Sequence, residues 1–379
     1  MKILIFYGSF GGGHLSAARY IKEYFELNYP ENEILMVDAI EYINKALNKV
    51  TTKAYENMAK NATWAWKQIY YSTEKAPFKQ ITNETHKIMA VKLNKIINEF
   101  SPDLIISTHP FSSHMCSYLK KKEKINSKIA TIITDYAPHG QWLMYPEFTD
   151  YYFIANEGMI DSLTSYGVSK EKIFVTGIPL SNRFLAHYDK SRVLSDFGLE
   201  ENKKTILFFA GGKLGLGKDN TYQILKSLVD DFDNMQIIAI AGKNEKMQKQ
   251  FEDIAIESDS NTTVRVLSYT NKVPELMSVS DLVITKPGGL TTTESLASGL
   301  PIIVINPIPG QEEENAEFLE EKQVAIWLKK KDNIEEKLYE IFNSPDLLKK
   351  MKINARLLAK KNSTKDICEI LMNNKNRQI

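Results

Sequence analysis

Short apolar, β-branched runs alternate with longer amphipathic segments from one end of this chain to the other. That rhythm restricts the fold more than any other feature, because it is the pattern of parallel sheets covered by helices. Strands are predicted in the first half at Lys2–Tyr7, Ile34–Ile40, Asp103–Thr108, Ile129–Asp135, Tyr151–Ala155 and Ile173–Gly177. In the second half they are predicted at Thr205–Ala210, Met235–Ala241, Val264–Leu267, Leu282–Thr285, Pro301–Ile305 and Val324–Leu328. The expected class is therefore α/β. A chain of 379 residues exceeds what one hydrophobic core usually organises, so the two runs of strands read as two domains. The stretch from Pro179 to Lys204 suits a linker. With the boundary near Leu185, the expected division is 1–185, 186–360 and a helical tail over 361–379.

Composition excludes several classes. Apolar residues make up 43% and charged residues 25%, close to soluble globular averages, which argues against disorder. No run of about 18 apolar residues occurs, and the chain starts directly on a strand without the features of a leader, so a cytoplasmic protein is expected. Cys116 and Cys368 lie far apart with no metal-ligand spacing, which suggests buried thiols. A net charge of +1 offers no global reason to expect nucleic acid.

The interruption between the second and third strands, roughly Glu41 to Phe100, is too long for a loop and periodic enough to be helical. Between Thr51 and Asn98 it holds eight lysines against three glutamates, interleaved with Trp64, Trp66, Tyr70, Tyr71 and Phe78. Two readings fit. Lysines with interfacial aromatics suit a surface that settles onto an anionic bilayer. Alternatively, the segment is a helical cover whose aromatics point into the core. The cluster Lys120, Lys121, Lys122, Lys124 and Lys128 either extends such a membrane face or is a solvated helix end.

Three glycine-rich turns each follow a strand and open a helix. The first, Gly8-Ser9-Phe10-Gly11-Gly12-Gly13-His14, lacks a P-loop lysine and does not match dinucleotide spacing, which weakens ATP and NAD readings. His14 is there either a helix-start histidine packed for structure or a catalytic group. The second, Gly211-Gly212-Lys213-Leu214-Gly215-Leu216-Gly217, has room for close approach to a diphosphate, or is a flexible loop. The third is Thr285-Lys286-Pro287-Gly288-Gly289-Leu290-Thr291-Thr292-Thr293-Glu294, followed by Pro309-Gly310-Gln311-Glu312. A glycine pair leading into a helix makes an anion site, and Glu294 one turn deeper has a carboxylate suited to ribose hydroxyls. Capping threonines and a surface Glu294 are the plainer alternative. Gln311 and Glu312 offer the donors and acceptors a sugar needs.

The stretch from Ser268 to Glu320 resembles the nucleotide-sugar half of the family-28 glycosyltransferases, and its Thr-Lys-Pro-Gly-Gly and Pro-Gly-Gln-Glu strings are most similar to those of the diacylglycerol enzymes. Gly12-Gly13-His14, Thr134-Asp135 with His139 and Trp142, and Thr176-Gly177-Ile178-Pro179 extend the resemblance through the first half. It implies a GT-B fold, two Rossmann-like parallel-sheet domains facing across a cleft. It also implies roles. Tyr269 and Thr270 lie against uracil; Gly289, Leu290, Thr291 and the loop with Gly211, Gly212 and Gly215 hold diphosphate; Glu294 binds ribose; Gln311 and Glu312 bind the hexose. His14 faces the acceptor, and His109, His139, Trp142, Gly12 and Gly13 lie on the acceptor side. In one departure, Ser181 stands where the diacylglycerol enzymes usually carry arginine, and Arg183 is the candidate to replace its charge near the diphosphate.

The expected activity is inverting transfer of a hexose from a UDP-sugar to diacylglycerol or a glycosyl-diacylglycerol. The base is expected to be His14, assisted by Asp135, with His14 titrating near its ordinary value. No cofactor and no metal are expected, since helix N-termini can stabilise the departing diphosphate. The enzyme is expected at the cytoplasmic face of the membrane, held peripherally through Trp64 and Trp66. A transferase acting on a polyprenyl-linked cell-wall intermediate, a UDP-sugar epimerase and a non-catalytic UDP-sugar sensor are the alternatives.

Overall fold

The structure is a computed structural model that describes residues 1–9, 12–43, 89–137, 140–210, 220–257 and 261–373. It separates into two compact units. The first comprises Met1–Ser181 with Pro309–Gln311 and Lys360–Ile379; the second comprises Asn182–Ile308 and Glu312–Ala359.

The first unit is built on a six-stranded sheet of β1 (Lys2–Tyr7), β2 (Glu33–Asp38), β3 (Leu104–Ser107), β4 (Lys128–Ile132), β5 (Tyr151–Ile154) and β6 (Ile173–Val175). Their order is β2-β1-β3-β4-β5-β6, and every pair is parallel. Because side chains alternate along a strand, β1 supplies both cores. Ile3 and Ile5 pack with Ala18, Ile21 and Phe25 of the helix Gly13–Asn28 on one face. Leu4 and Phe6 pack on the other face with Ala90, Leu93 and Ile97 of a helix over residues 89–100. That helix closes the long insertion, and it is a core cover. Trp64, Trp66 and the rest of the insertion's lysine-aromatic stretch lie outside the described residues.

Two boundaries differ from the sequence expectation. The run Ile34–Ile40 stops being a strand at Asp38, whose Oδ1 accepts hydrogen bonds from Ile40 and Glu41 N–H at 3.0 Å and turns the chain into the short helix Ala39–Ile43. Of the stretch over 361–379 expected as a tail, the described part, 361–373, does not stand apart. Its helix Ser363–Asn373 buries Ile367, Cys368 and Leu371 against Ile3, Ile5 and Phe25, so the end of the chain completes the core of the first unit.

The second unit carries β7 (Lys204–Phe209), β8 (Met235–Gly242), β9 (Thr263–Ser268), β10 (Leu282–Thr285), β11 (Ile302–Val304) and β12 (Ala325–Trp327). They are ordered β9-β8-β7-β10-β11-β12 and all parallel. Relative to the unit's own first strand this is the 3-2-1-4-5-6 order of a dinucleotide-binding sheet. Phe208, Ile237, Phe251 and Ile284 are among its fully buried residues.

In a doubly wound sheet, ligands bind outside the carboxyl ends of the strands where the strand order reverses. That point lies between β1 and β3 in the first unit and between β7 and β10 in the second. The three glycine-rich turns follow β1, β7 and β10.

Candidate active site

In the first unit, the turn after β1 reaches the helix Gly13–Asn28 through Gly12, which is exposed and has open space where a side chain would stand. Phe10 and Gly11 lie outside the described residues. His14 sits in the first turn of that helix. Its Nδ1 is 2.6 Å from the carbonyl oxygen of Thr108, just past β3, and 3.0 Å from Oγ1 of Thr134, just past β4. Thr108 in turn donates its hydroxyl to the His14 carbonyl at 2.9 Å. The ring is half-buried. Burial lowers its pKa from the ordinary 6.5 to about 4, only partly opposed by the Thr108 carbonyl. The histidine is thus neutral at neutral pH, well below the near-ordinary titration expected from sequence.

His109, also past β3, is buried and meets the His14 ring edge-on at a centroid distance of 4.6 Å. Its Nδ1 accepts from Phe111 N–H at 3.2 Å, so it caps the helix Pro110–Lys121. The same ring explains Gly8, where an added Cβ would stand 2.7 Å from His109 Cδ2. Trp142, buried in the short helical turn Gly140–Leu143, lies 6.2 Å from the His14 ring. The structure therefore brings His14, His109 and Trp142 together. His139 lies outside the described residues.

Asp135 is buried next to Thr134. The hydrogen bonds of the His14 ring run to Thr108 and Thr134. Asp135 accepts from Gln311 Nε2 at 3.3 Å, within the first unit. Near β2, Asp38 accepts a hydrogen bond from the Ser9 hydroxyl and so ties down the start of the glycine turn. No role for Thr108, Thr134 or Asp38 was legible in the sequence. Their common signal is position at the carboxyl ends of strands β3, β4 and β2, at or next to the reversal of strand order.

In the second unit, the helix Gly289–Ala297 starts at the switch point with Gly288 as its N-cap and no side chain capping it. The threonines do not cap it either. Thr293 Oγ1 bonds back to the Gly289 carbonyl at 2.8 Å, and Thr292 is fully buried. The first-turn N–H groups of Gly289, Leu290 and Thr291 thus have no side-chain cap, and such groups suit an anion. Glu294 is half-buried one turn further along.

Glu312 uses one oxygen for structure. Its Oε2 accepts from Ile308 N–H at 2.6 Å and lies 3.8 Å from Lys286 Nζ, while its Oε1 makes no hydrogen bond among the described residues. Burial pushes the Lys286 ammonium pKa down, with Glu312 opposing. Asn315 Nδ2 donates to the Pro287 carbonyl at 3.0 Å and fastens the helix Gln311–Glu321 to the turn before Gly288. Lys286 and Asn315 were legible only as members of a motif. Tyr269 leaves its ring exposed beyond β9 with Lys243 Nζ 5.3 Å from its centre, and Thr270 Oγ1 accepts from Lys272 N–H. The loop with Gly211, Gly212 and Gly215 lies outside the described residues.

Two expectations about charge change. Arg183 donates to the Asn271 carbonyl at 2.8 Å and pairs with Glu275 at 3.3 Å, so its guanidinium is engaged at the start of the helix Val273–Val279. In the lysine cluster, Lys120 and Lys128 both pair with Asp150, and Lys121 lies over the Tyr145 ring at 4.3 Å. That part of the cluster is a surface network in which one carboxylate is shared by two lysines, so it keeps a net positive charge. One Asp-x-Asp string does occur, Asp231-Phe232-Asp233, but it precedes β8 and so lies at the amino edge of the sheet.

A sequence model of monogalactosyldiacylglycerol synthase matches residues 14–180, and one of the glycosyltransferase family 28 C-terminal domain matches residues 206–370. A processive diacylglycerol beta-glucosyltransferase of Staphylococcus epidermidis is 32% identical over 98% of this chain and 92% of its own length. Among solved structures, MurG of Acinetobacter baumannii matches with a TM-score of 0.64 at 14% identity over 98% of this chain and 99% of that one. The UDP-GlcNAc 2-epimerase of Neisseria meningitidis, bound to UDP-GlcNAc, matches with a TM-score of 0.63 at 15% identity over 98% and 100%. The fold alone is thus shared with an epimerase, and the sequence relatives separate the two activities.

Two doubly wound units of this kind, joined to relatives that transfer sugars, define the class as a GT-B glycosyltransferase that uses a UDP-sugar. Within that class the chain belongs to glycosyltransferase family 28, alongside the diacylglycerol glycosyltransferases.

Proposed function

We propose that this enzyme moves glucose from UDP-glucose to the free hydroxyl of diacylglycerol, or of a glycosyl-diacylglycerol, and inverts the anomeric centre to a β-linkage. The names of the full-length relatives support the sugar and the acceptor. The observation that carries the mechanism is the state of His14. With its proton held on Nδ1 against the Thr108 carbonyl, its Nε2 has the lone pair a general base needs, and the ring is neutral at cytoplasmic pH.

In the reaction the acceptor oxygen attacks C1 of the hexose, its proton passes to His14 Nε2, and the bond from C1 to the diphosphate breaks with release of UDP. Negative charge grows on the diphosphate as that bond breaks. The uncapped N–H groups at Gly289, Leu290 and Thr291 favour that charge without a metal, and the family resemblance assigns the glycine loop with Gly211, Gly212 and Gly215 to the same diphosphate. Glu294 accepts the ribose hydroxyls, and Tyr269 and Thr270 lie against uracil. Gln311 and the open Oε1 of Glu312 hold the hexose, with Lys286 bracing the carboxylate from the other side. The family resemblance puts His109, Trp142 and His139 on the acceptor side, and of these His109 and Trp142 lie beside His14.

Diacylglycerol resides in membranes, so the enzyme must work at a lipid surface. No helix among the described residues is long and apolar enough to cross one. Attachment is peripheral, on the cytoplasmic face where UDP-sugars are, through the lysine-aromatic insertion with Trp64 and Trp66.

One assay tests the whole reading. The purified chain is mixed with vesicles of neutral or anionic lipid containing diacylglycerol, a panel of labelled UDP-sugars, and either magnesium or EDTA. A glucolipid that forms in EDTA and faster on anionic vesicles is the expected result. Hydrolysis or isomerisation of the donor with no lipid product would overturn it.

A further inference from the structure

Two acceptors converge on one nitrogen of His14. A carbonyl oxygen has no proton to give, so the 2.6 Å contact between Nδ1 and the Thr108 carbonyl puts the ring proton on Nδ1. Thr134 Oγ1, 3.0 Å from the same nitrogen, then accepts from that N–H as well. The two threonines differ in what else they do. Thr108 is woven into the backbone, with its N–H donating to the Phe6 carbonyl at 3.0 Å and its hydroxyl to the His14 carbonyl. The Thr134 side chain is buried, and His14 is its one hydrogen-bond partner among the described residues. A buried hydroxyl committed to a single ring nitrogen contributes little to the fold and much to the orientation of that ring.

We propose that Thr134 is a positioning residue, which together with the Thr108 carbonyl fixes the tautomer and rotation of His14 so that Nε2 faces the acceptor hydroxyl. This rests on the reading of His14 as the base. The rings that face His14 are His109 and Trp142, and among the described residues its ring is bonded to Thr108 and Thr134 and to no carboxylate. When Nε2 takes the acceptor proton, the positive ring is left against two neutral acceptors, a carbonyl and a hydroxyl, in the place a buried aspartate fills in a Ser-His-Asp triad.

The test uses the full chain as wild type, Thr134→Val, Thr134→Ser and His14→Ala. Valine keeps the shape and removes the hydroxyl. It is expected to lower kcat about tenfold, since the ring loses one of two restraints, with KM for the UDP-sugar unchanged. Serine restores most of the loss. Nitrogen NMR of histidine-labelled protein, with His14 assigned from the His14→Ala spectrum, is expected to show an Nδ1–H ring in wild type and Thr134→Ser and a mixture of tautomers in Thr134→Val. Wild-type His14 protonated at Nε2 overturns the proposal, as does Thr134→Val with wild-type kcat and an unmixed tautomer. Should Thr134→Val fail to fold by thermal melting, Thr134→Ala is read in its place by the same criteria. Near-normal turnover in His14→Ala removes the base reading itself. Severe loss there beside an unaffected Thr134 variant removes Thr134 alone.

Discussion

His14 shows how a single side chain acquires its chemistry from burial and not from its identity. In the unfolded chain its imidazole titrates near 6.5; in the fold, loss of water lowers that value to about 4. Between those two values the unfolded chain binds a proton that the folded one does not. The contribution of this group to stability is therefore undiminished above 6.5 and declines as pH falls toward about 4. Melting temperatures measured across that window are expected to fall less steeply in His14→Asn than in wild type, and equal slopes would mean the ring titrates normally. The histidine itself was legible, because it ends a glycine turn after the first strand. Its shifted pKa was not, since the burial that lowers it is made by the fold, and the Thr108 carbonyl that opposes it is far away in sequence. Gly8 makes a companion case. Its neighbours in sequence suggest freedom to turn, yet the structure gives a steric reason, the His109 ring 2.7 Å from where a Cβ would be. Gly8→Ala is expected to displace that ring and lower turnover at least as much as stability, measured as kcat against melting temperature.

At the scale of elements, strands were more legible than helix placement. A strand in a parallel sheet is buried on both faces, so a short apolar run such as Leu282–Thr285 declares itself locally. Where a local side chain competes, as Asp38 does at the end of β2, the apolar pattern of Ile34–Ile40 runs past the true end. The helix Ser363–Asn373 was readable as a helix, but not as part of the first unit. Its partners Ile3, Ile5 and Phe25 lie at the opposite end of the chain, and no periodicity encodes such a pairing. It is held at its start by Thr364, whose hydroxyl accepts from Leu180 N–H at 2.8 Å and donates to the Leu180 carbonyl at 2.7 Å. Next to it Gly177 has φ +89, and an added Cβ would stand 2.5 Å from Lys360 Cβ. Alanine there meets both a backbone conformation it rarely adopts and a backbone-anchored neighbour. Gly177→Ala should cost about 1–3 kcal/mol. Ile367→Ala, which empties a fully buried site, should cost about 2–5 kcal/mol. Denaturant unfolding that found either variant as stable as wild type would mean that the C-terminal helix does not belong to this core.

The whole molecule divides its work as it divides its cores. The chain passes from one unit to the other after Ser181, earlier than the Leu185 expected from composition, because Arg183 is already tied to Asn271 and Glu275 of the second unit. Each unit has its own reversal of strand order, and each places different chemistry there. The first holds a neutral imidazole whose Nε2 makes no hydrogen bond among the described residues, suited to accept a proton. The second holds an uncapped helix start and a half-buried Glu294, suited to bind a nucleotide diphosphate. If the division is real, two single substitutions should separate the two functions. His14→Ala removes a group that acts only as the acceptor loses its proton, so kcat should fall by about 10² to 10⁴ while UDP affinity barely changes. Glu294→Ala removes charge-assisted hydrogen bonds to ribose worth about 1.5–3 kcal/mol, so the UDP dissociation constant should rise at least about tenfold. Combining calorimetry with UDP and steady-state kinetics on both variants decides the matter. Loss of UDP binding in His14→Ala as severe as its loss of turnover would place His14 in the donor site, and unchanged UDP binding in Glu294→Ala would leave that carboxylate as a surface group on its helix.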